Sequence, residues 1–277
     1  MQLEFLPHDL APGDKKSADR NRPDLQLHLI SDASDPLFEK AYQCLWNEFG
    51  PQGEMESLEV IKKRFHWKPD TLINGCSLLY HLVMVASGDT PVAVRDHTAI
   101  ILPERREAVV HLSHAFVAPE YRRTGIAGWL RALPIQTARH ALSAQGLDKT
   151  TPITLVGEME KFDPADTATF TRLKAYEKAG YLKIDPAVIH YLQPDFRSPE
   201  IIDAGGKTEP LPMTLLIRRV KQENERFISG EAVRNIADAL YRMYGAEFRA
   251  QDMQSVLNSL DEYPEPTAEV ALIPPTA

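Results

Sequence analysis

The sequence predicts an α+β protein: an antiparallel sheet flanked by helices, with further helices towards the C-terminus. Three observations carry that prediction. Leu78 to Ala86, Val92 to Leu102 and Ala108 to Val117 look like successive antiparallel strands joined by Ser87-Gly88-Asp89 and a charged turn at Glu104 to Arg106, the pattern of a strand meander. Gly125 to Ala144, Thr167 to Lys178 and Ser229 to Tyr244 instead repeat apolar residues at helical spacing. Hydrophobic residues make up 43% of the chain and charged ones 25%, ordinary globular usage that sets aside disordered, collagen-like and coiled-coil readings.

Taken in order, Met1 to Asp24 reads as a polar tail that either stays loose or wraps the core. Leu25 to Ile30 reads as a strand. Asp35-Pro36 then supplies a cap and a first-turn proline for a helix whose apolar stripe is Phe38, Ala41, Tyr42, Leu45 and Phe49, ending at Gly50. A second helix covers Ser57 to Trp67, and the meander follows. In Gly125 to Ala144 the stripe is Ile126, Trp129, Leu130, Leu133 and Ala141, and Pro134 removes a backbone donor and predicts a kink. Ile153 to Val156 reads as a short buried strand, Thr167 to Lys178 as a helix stopped by Gly180, and Val188 to Leu192 and Met213 to Val220 as strands, the latter the last. Asp163 to Asp166 reads as loop and helix cap. Val233, Ile236, Ala237, Leu240 and Tyr244 form the inward stripe of a helix closed by Gly245, and a further helix from Ala250 to Leu260 precedes a proline-containing tail, Pro264 to Ala277. Residues 1–24 are therefore expected to be a tail, 25–220 the main domain, and 221–277 a helical extension and tail.

At 277 residues the chain has room for one large domain or a domain with an appendage. The N-terminal stretch lacks the apolar run of a secretory signal or membrane span, so the expectation is a cytoplasmic protein with no membrane partner. Cys44 and Cys76 cannot build a disulfide framework and stand in no metal-ligand spacing. A net charge of -8 argues against a nucleic-acid partner and weakly favours a cationic substrate.

The segment that carries chemistry is Phe116-Val117-Ala118-Pro119-Glu120-Tyr121-Arg122-Arg123-Thr124-Gly125-Ile126-Ala127, which runs from a strand through a tight turn into a helix. A helix start exposes unpaired amides, and a glycine there lets a phosphate approach the backbone closely. The spacing of Arg122, Gly125 and Ala127 resembles the pyrophosphate-binding signature of the Gcn5-related N-acetyltransferase (GNAT) superfamily: Arg or Gln, two residues, Gly, one residue, Gly or Ala. Val117 and Pro119 fit that family's strand end and turn, and Tyr176-Glu177-Lys178-Ala179-Gly180-Tyr181 resembles its later helix ending in Tyr, three residues, Gly and an aromatic.

The resemblance implies a mixed, mostly antiparallel sheet of about seven strands, with extra C-terminal helices here. It implies acetyl-CoA as donor substrate, lying in a splayed gap between the fourth and fifth strands. Phe116 and Val117 would border that gap, with Val117 contacting the pantetheine arm; Arg123, Thr124, Gly125, Ile126 and Ala127 would offer backbone amides to the pyrophosphate, and the Arg122 and Arg123 side chains would add charge. It implies an N-acetyltransferase in which a primary amine attacks the thioester directly and no metal is required. Tyr176 stands at the family's general-acid position: a phenol with a pKa of about 10 stays protonated at neutral pH and can donate to a departing thiolate whose pKa is about 8.5. The competing role for Tyr176 is packing beside the cofactor.

The general base is less legible. Many relatives carry an acidic residue four places before the valine, and Ser113 stands there. His111 shares a strand face with Ser113 while His114 points to the other face, so His111 could relay a proton, or be merely structural. Glu158 and Glu160, expected just beyond the fifth strand, could serve the amine as base or countercharge, or form a solvated strand end. A GNAT fold that binds acyl-CoA without transfer is the alternative function, and a longer acyl donor stays open. The acceptor is not readable, since its specificity lies in loops such as Phe49 to Met55 and Glu158 to Asp166. The stripe of Ser229 to Leu260 must be covered by the sheet or by a second subunit, so closure of the acceptor site and a homodimer are both expected possibilities.

Overall fold

The structure is a computed structural model of the chain and describes residues 1–18, 25–160 and 167–277. The predicted cap at Asp163 to Asp166 lies outside the described residues. The chain divides into two compact units, Met1–Leu72 with Ser77–Ile153, and Ile73–Cys76 with Thr154–Ala277. The division falls inside the range 25–220 that the sequence assigns to one domain.

In chain order the first unit contains α1 (Pro12–Ala18), β1 (Leu25–Ile30), α2 (Phe38–Phe49), α3 (Leu58–Arg64), the two-residue β2 (Leu72–Ile73) at its border, β3 (Cys76–Ser87), β4 (Thr90–Leu102), β5 (Glu107–His111), β6 (Ala115–Val117), α4 (Ile126–Ala132) and α5 (Pro134–Ala144). β1 pairs antiparallel with β3, and β3 with β4. β4 is buried at every residue from Val92 to Leu102. It is covered on both faces: Asp96 faces the α2 side while its neighbour His97 reaches Thr137 of α5, as strand alternation requires. Pro134 interrupts the helical ladder between α4 and α5 at the predicted place.

One strand of the predicted meander is corrected. Ala108 to Val117 is two strands: β5 pairs with β4 from Thr98↔His111 outward, β6 pairs with β4 from Arg95↔Ala115, and the register slips by one residue between them. The slip is a β-bulge at Leu112 to His114, where an extra residue bends the strand. The N-terminal segment wraps the core over the residues described: Leu3, Leu10 and Ala11 are buried, the Phe5 and Trp129 rings lie 5.1 Å apart, and Asp14 takes a bidentate bond from Arg131 at 2.6 and 3.1 Å.

The second unit contains β7 (Ile153–Met159), α6 (Thr167–Lys178), β8 (Leu182–Ile184), β9 (Tyr191–Gln193), α7 (Pro199–Gly205), β10 (Leu211–Arg219), β11 (Phe227–Ser229), α8 (Gly230–Tyr244), α9 (Ala250–Asn258) and β12 (Glu269–Ile273). β10 pairs with β7 on one edge and with β8 and β9 on the other; β12 joins β8 to β11. Several boundaries differ from the sequence reading. The strand expected at Val188 to Leu192 is Tyr191–Gln193. Met213 to Val220 is not the last strand, because the expected tail contains β12, whose Val270 and Leu272 are buried. Twelve strands are described against the expected seven or so, the surplus being short segments. α8 begins where predicted, with the Ser229 hydroxyl accepting from the Ala232 amide at 3.2 Å. Its stripe of Val233, Ile236, Ala237, Leu240 and Tyr244 is buried within the chain.

Candidate active site

In the first unit the predicted turn is built as follows. Ala118 N–H bonds the Val92 carbonyl at 2.9 Å and closes β6 against β4. The 94↔116 and 92↔118 pairs therefore point their amides and carbonyls at β4, and alternation turns those of Ala115 and Val117 to the opposite edge. Within this unit no described strand pairs with that edge. After a short 3-10 turn at Pro119–Tyr121 the chain passes through two left-handed residues, Arg123 at φ 62° and Gly125 at φ 94°, before α4 starts.

The left-handed Gly125 followed by the right-handed Ile126 of α4 is the succession that turns consecutive amides towards a common point, an anion-binding nest. Among the described residues, no backbone carbonyl or side chain accepts a hydrogen bond from the amides of Arg123, Thr124, Gly125, Ile126 or Ala127. The Thr124 hydroxyl donates back to the Tyr121 carbonyl at 2.5 Å and holds the turn shut. Arg122 and Arg123 are exposed, whereas Ile126 is buried with Val92 and Leu130 and anchors the helix start. Arg122 is also engaged locally, its Nε donating to the Val117 carbonyl at 3.2 Å.

The bulge carries the histidines. The buried His111 and the half-buried Ser113 meet, Nδ1 to Oγ 3.1 Å, on the shared face that alternation predicts. His114 turns the other way onto Asp96: its backbone N–H donates to Asp96 Oδ1 at 2.7 Å and its ring Nδ1 lies 3.1 Å from the same oxygen. Its Nε2 lies 2.9 Å from the Glu54 carbonyl. Burial alone would depress the imidazole, but the Asp96 carboxylate overrides it and raises His114 to about 9. Burial would likewise raise Asp96, and His114 instead holds it well below the usual carboxylate range. Beside this pair, Arg64 bonds Glu56 and lies over the Trp67 and Tyr80 rings. Sequence reasoning missed this cluster. Its signal was Arg95-Asp96-His97-Thr98, four polar residues in the middle of an otherwise apolar strand, every one of them buried.

Glu158 and Tyr176 belong to the second unit. Glu158 lies within β7, not beyond it, because β7 runs on to Met159 in register with Thr214. Oε1 accepts from the Tyr191 hydroxyl at 2.6 Å, and Oε2 from Tyr244 at 2.6 Å and Gln193 at 3.2 Å. Burial and the nearby Glu158 push the Tyr191 phenol far above its ordinary value, so it stays a donor. The solvated-strand-end reading is thereby corrected for Glu158: Tyr191, Gln193 and Tyr244 hold it, the last from the C-terminal extension. Glu160, by contrast, forms a partly exposed pair with Arg172 at 2.9 Å. Tyr176 is half-buried near the end of α6, its ring edge-on to Tyr181 at 4.9 Å. The helix stops as predicted: Gly180 at φ 78° lets its own amide reach the Glu177 carbonyl and that of Tyr181 reach the Tyr176 carbonyl, each at 3.0 Å.

No protein-family model and no curated protein sequence matches the chain. Solved structures similar to it include acetyltransferases. An aminoglycoside acetyltransferase from an uncultured soil metagenomic sample, in complex with sisomicin, is 11% identical over 55% of this chain and 87% of that one, with a TM-score of 0.36. An acetyltransferase from Streptococcus agalactiae is 9% identical over 72% and 99%, TM-score 0.38, and a GCN5-related N-acetyltransferase from Kribbella flavida is 16% identical over 59% and 35%, TM-score 0.29. No described helix is long and apolar enough to cross a membrane.

Proposed function

We propose that the chain is a GNAT-type N-acetyltransferase that binds acetyl-CoA at the Arg123 to Ala127 turn and passes the acetyl group to a primary amine. The observation that supports it most is the run of five amides without an acceptor among the described residues, following a strand edge that presents the Val117 and Ala115 peptide groups. A diphosphate satisfies amides of that kind, and a pantetheine arm can pair with a strand edge. Arg122 would release the Val117 carbonyl to the arm and turn its charge to the phosphates.

In this reading the amine attacks the thioester carbonyl, the carbon–sulfur bond breaks, and Tyr176 protonates the departing thiolate. The amine's proton passes to His111 through the Ser113 hydroxyl or a water, a route that the 3.1 Å contact between them supports. Glu158, fixed by Tyr191, Gln193 and Tyr244, would supply negative charge to the acceptor. The decisive variant is Tyr176→Phe. With acetyl-CoA and a panel of amines, thiol release followed by a colorimetric reagent should fall by about 100-fold or more while acetyl-CoA binding changes little. Unchanged turnover removes Tyr176 from the mechanism. Ser113, standing where relatives carry an acid, favours a second reading, an acyl-CoA-binding protein without transfer; acetyl-CoA binding with no turnover across the panel would establish it.

A further inference from the structure

The geometry points to His114 as a fixed imidazolium that ties the Glu54 to Glu56 loop to the bulge between β5 and β6, making it the positioning residue for that side of the site. Its assignment to the acceptor side rests on the transferase reading; the charge and the tether do not.

The reasoning starts from the two ring nitrogens. Nε2 faces the Glu54 carbonyl at 2.9 Å, an oxygen that has no hydrogen to give, so Nε2 must carry one. Nδ1 faces Asp96 Oδ1 at 3.1 Å. That oxygen already accepts the His114 backbone N–H at 2.7 Å, and Oδ2 is 3.2 Å from the Tyr80 hydroxyl. A proton on Oδ1 would weaken the bond that oxygen accepts from the backbone N–H, and a proton on Oδ2 would leave Nδ1 and Oδ1 facing each other with no hydrogen between them, so it resides on Nδ1. With hydrogens on both nitrogens, the ring is a cation.

The surroundings are built for that cation. Asp96 on β4 is its counter-ion; Tyr80 on β3 donates to the counter-ion; Glu56 in the loop and Arg64 on α3 form a second pair beside it; and from α2 the Phe49 ring packs on the imidazole at 5.0 Å. Two positive and two negative groups are thus buried as a neutral quartet. The loop is also held by Arg64, which grips the Glu56 carboxylate, by the Tyr42 hydroxyl 3.3 Å from the Glu56 carbonyl, and by the Glu54 N–H, which bonds the Phe49 carbonyl at 3.2 Å. Of these contacts, that of His114 joins the loop to the bulge. Asp96 N–H in turn bonds the His114 carbonyl at 3.3 Å, where the register slips, so strand, bulge and loop meet at one residue. Removing the ring proton from Nε2 breaks the tether to the loop, and removing it from Nδ1 breaks the tether to Asp96.

The test uses the full chain. Nitrogen-detected spectra of the wild-type histidine rings should show both His114 nitrogens protonated at neutral pH, with loss only as pH nears about 9. The Met55 and Glu56 backbone amides should shift with the same midpoint. In His114→Asn that loop titration should vanish, and a Glu-specific protease should cut after Glu54 about tenfold faster or more. Acetyl-CoA affinity, measured in parallel, should stay within about twofold because the turn is a separate element. A neutral His114 ring at neutral pH overturns the proposal, as does a loop titration that survives in the variant. Should His114→Asn not fold, the wild-type ring spectra decide alone. A chain that binds no acetyl-CoA yet shows the charged ring and the linked loop refutes the transferase reading and leaves the tether intact.

Discussion

Replacing Gly125 with valine should weaken acetyl-CoA binding by about 100-fold or more while leaving the chain folded. Gly125 sits at φ 94°, a region open to glycine and costly for a β-branched residue. Valine would draw the backbone towards negative φ and rotate the amides of Gly125 and Ile126 out of the common direction of the turn. Two amide bonds to a charged phosphate are worth roughly 3 kcal/mol together, and each 1.4 kcal/mol is about tenfold in affinity. The fold should survive because the turn is partly exposed and Ile126, Leu130 and Leu133 remain to seat the helices. Isothermal titration of acetyl-CoA into wild type and variant, with circular dichroism as the folding control, measures this. Equal affinities would show that the turn does not hold the diphosphate.

The second large effect concerns stability. Asp96→Ala should cost about 3–5 kcal/mol, because it leaves His114 charged and buried without its counter-ion. Urea unfolding followed by Trp fluorescence reads the loss, and a cost within about 0.5 kcal/mol of zero would dismiss the ion pair as a stabilising element. The pH dependence has a definite sign. His114 is raised from 6.5 to about 9, so its contribution is complete below 6.5 and is lost as pH rises through about 9. Asp96 is lowered from 3.8, so its contribution is present above 3.8 and lost as pH falls through its depressed value. Wild-type stability from this pair should therefore be greatest between about 4 and 6.5 and decline towards 9, and Asp96→Ala should flatten that decline.

Much of this was legible from residues alone. β1 begins and ends where alternation places it, α6 spans Thr167–Lys178 as helical spacing and the Gly180 stop predict, and the kink at Pro134 follows from a missing amide. What escaped was set by tertiary context. Ala108 to Val117 reads as one apolar strand because a bulge needs no special residue; the slip appears only when β5 and β6 are both registered on β4. β8 and β12 are too short for alternation to mark them, and β12 sits in a proline-containing stretch that resembles a tail. In the candidate site, Arg122 and Gly125 stand out because their spacing resembles the GNAT signature, whereas Asp96 and His114 lie on different strands and become partners only in the folded chain. Tyr244 was recognised as inward-facing, but periodicity gives no hint that its hydroxyl meets Glu158.

The claim that a CoA diphosphate occupies the turn after β6 is tested most directly by titrating acetyl-CoA into nitrogen-15-labelled protein and following backbone amide shifts. The predicted result is saturable movement of the Arg123 to Ala127 amides together with that of Val117, at one common dissociation constant. Saturating acetyl-CoA that leaves those six amides in place, or moves only signals elsewhere, would contradict it.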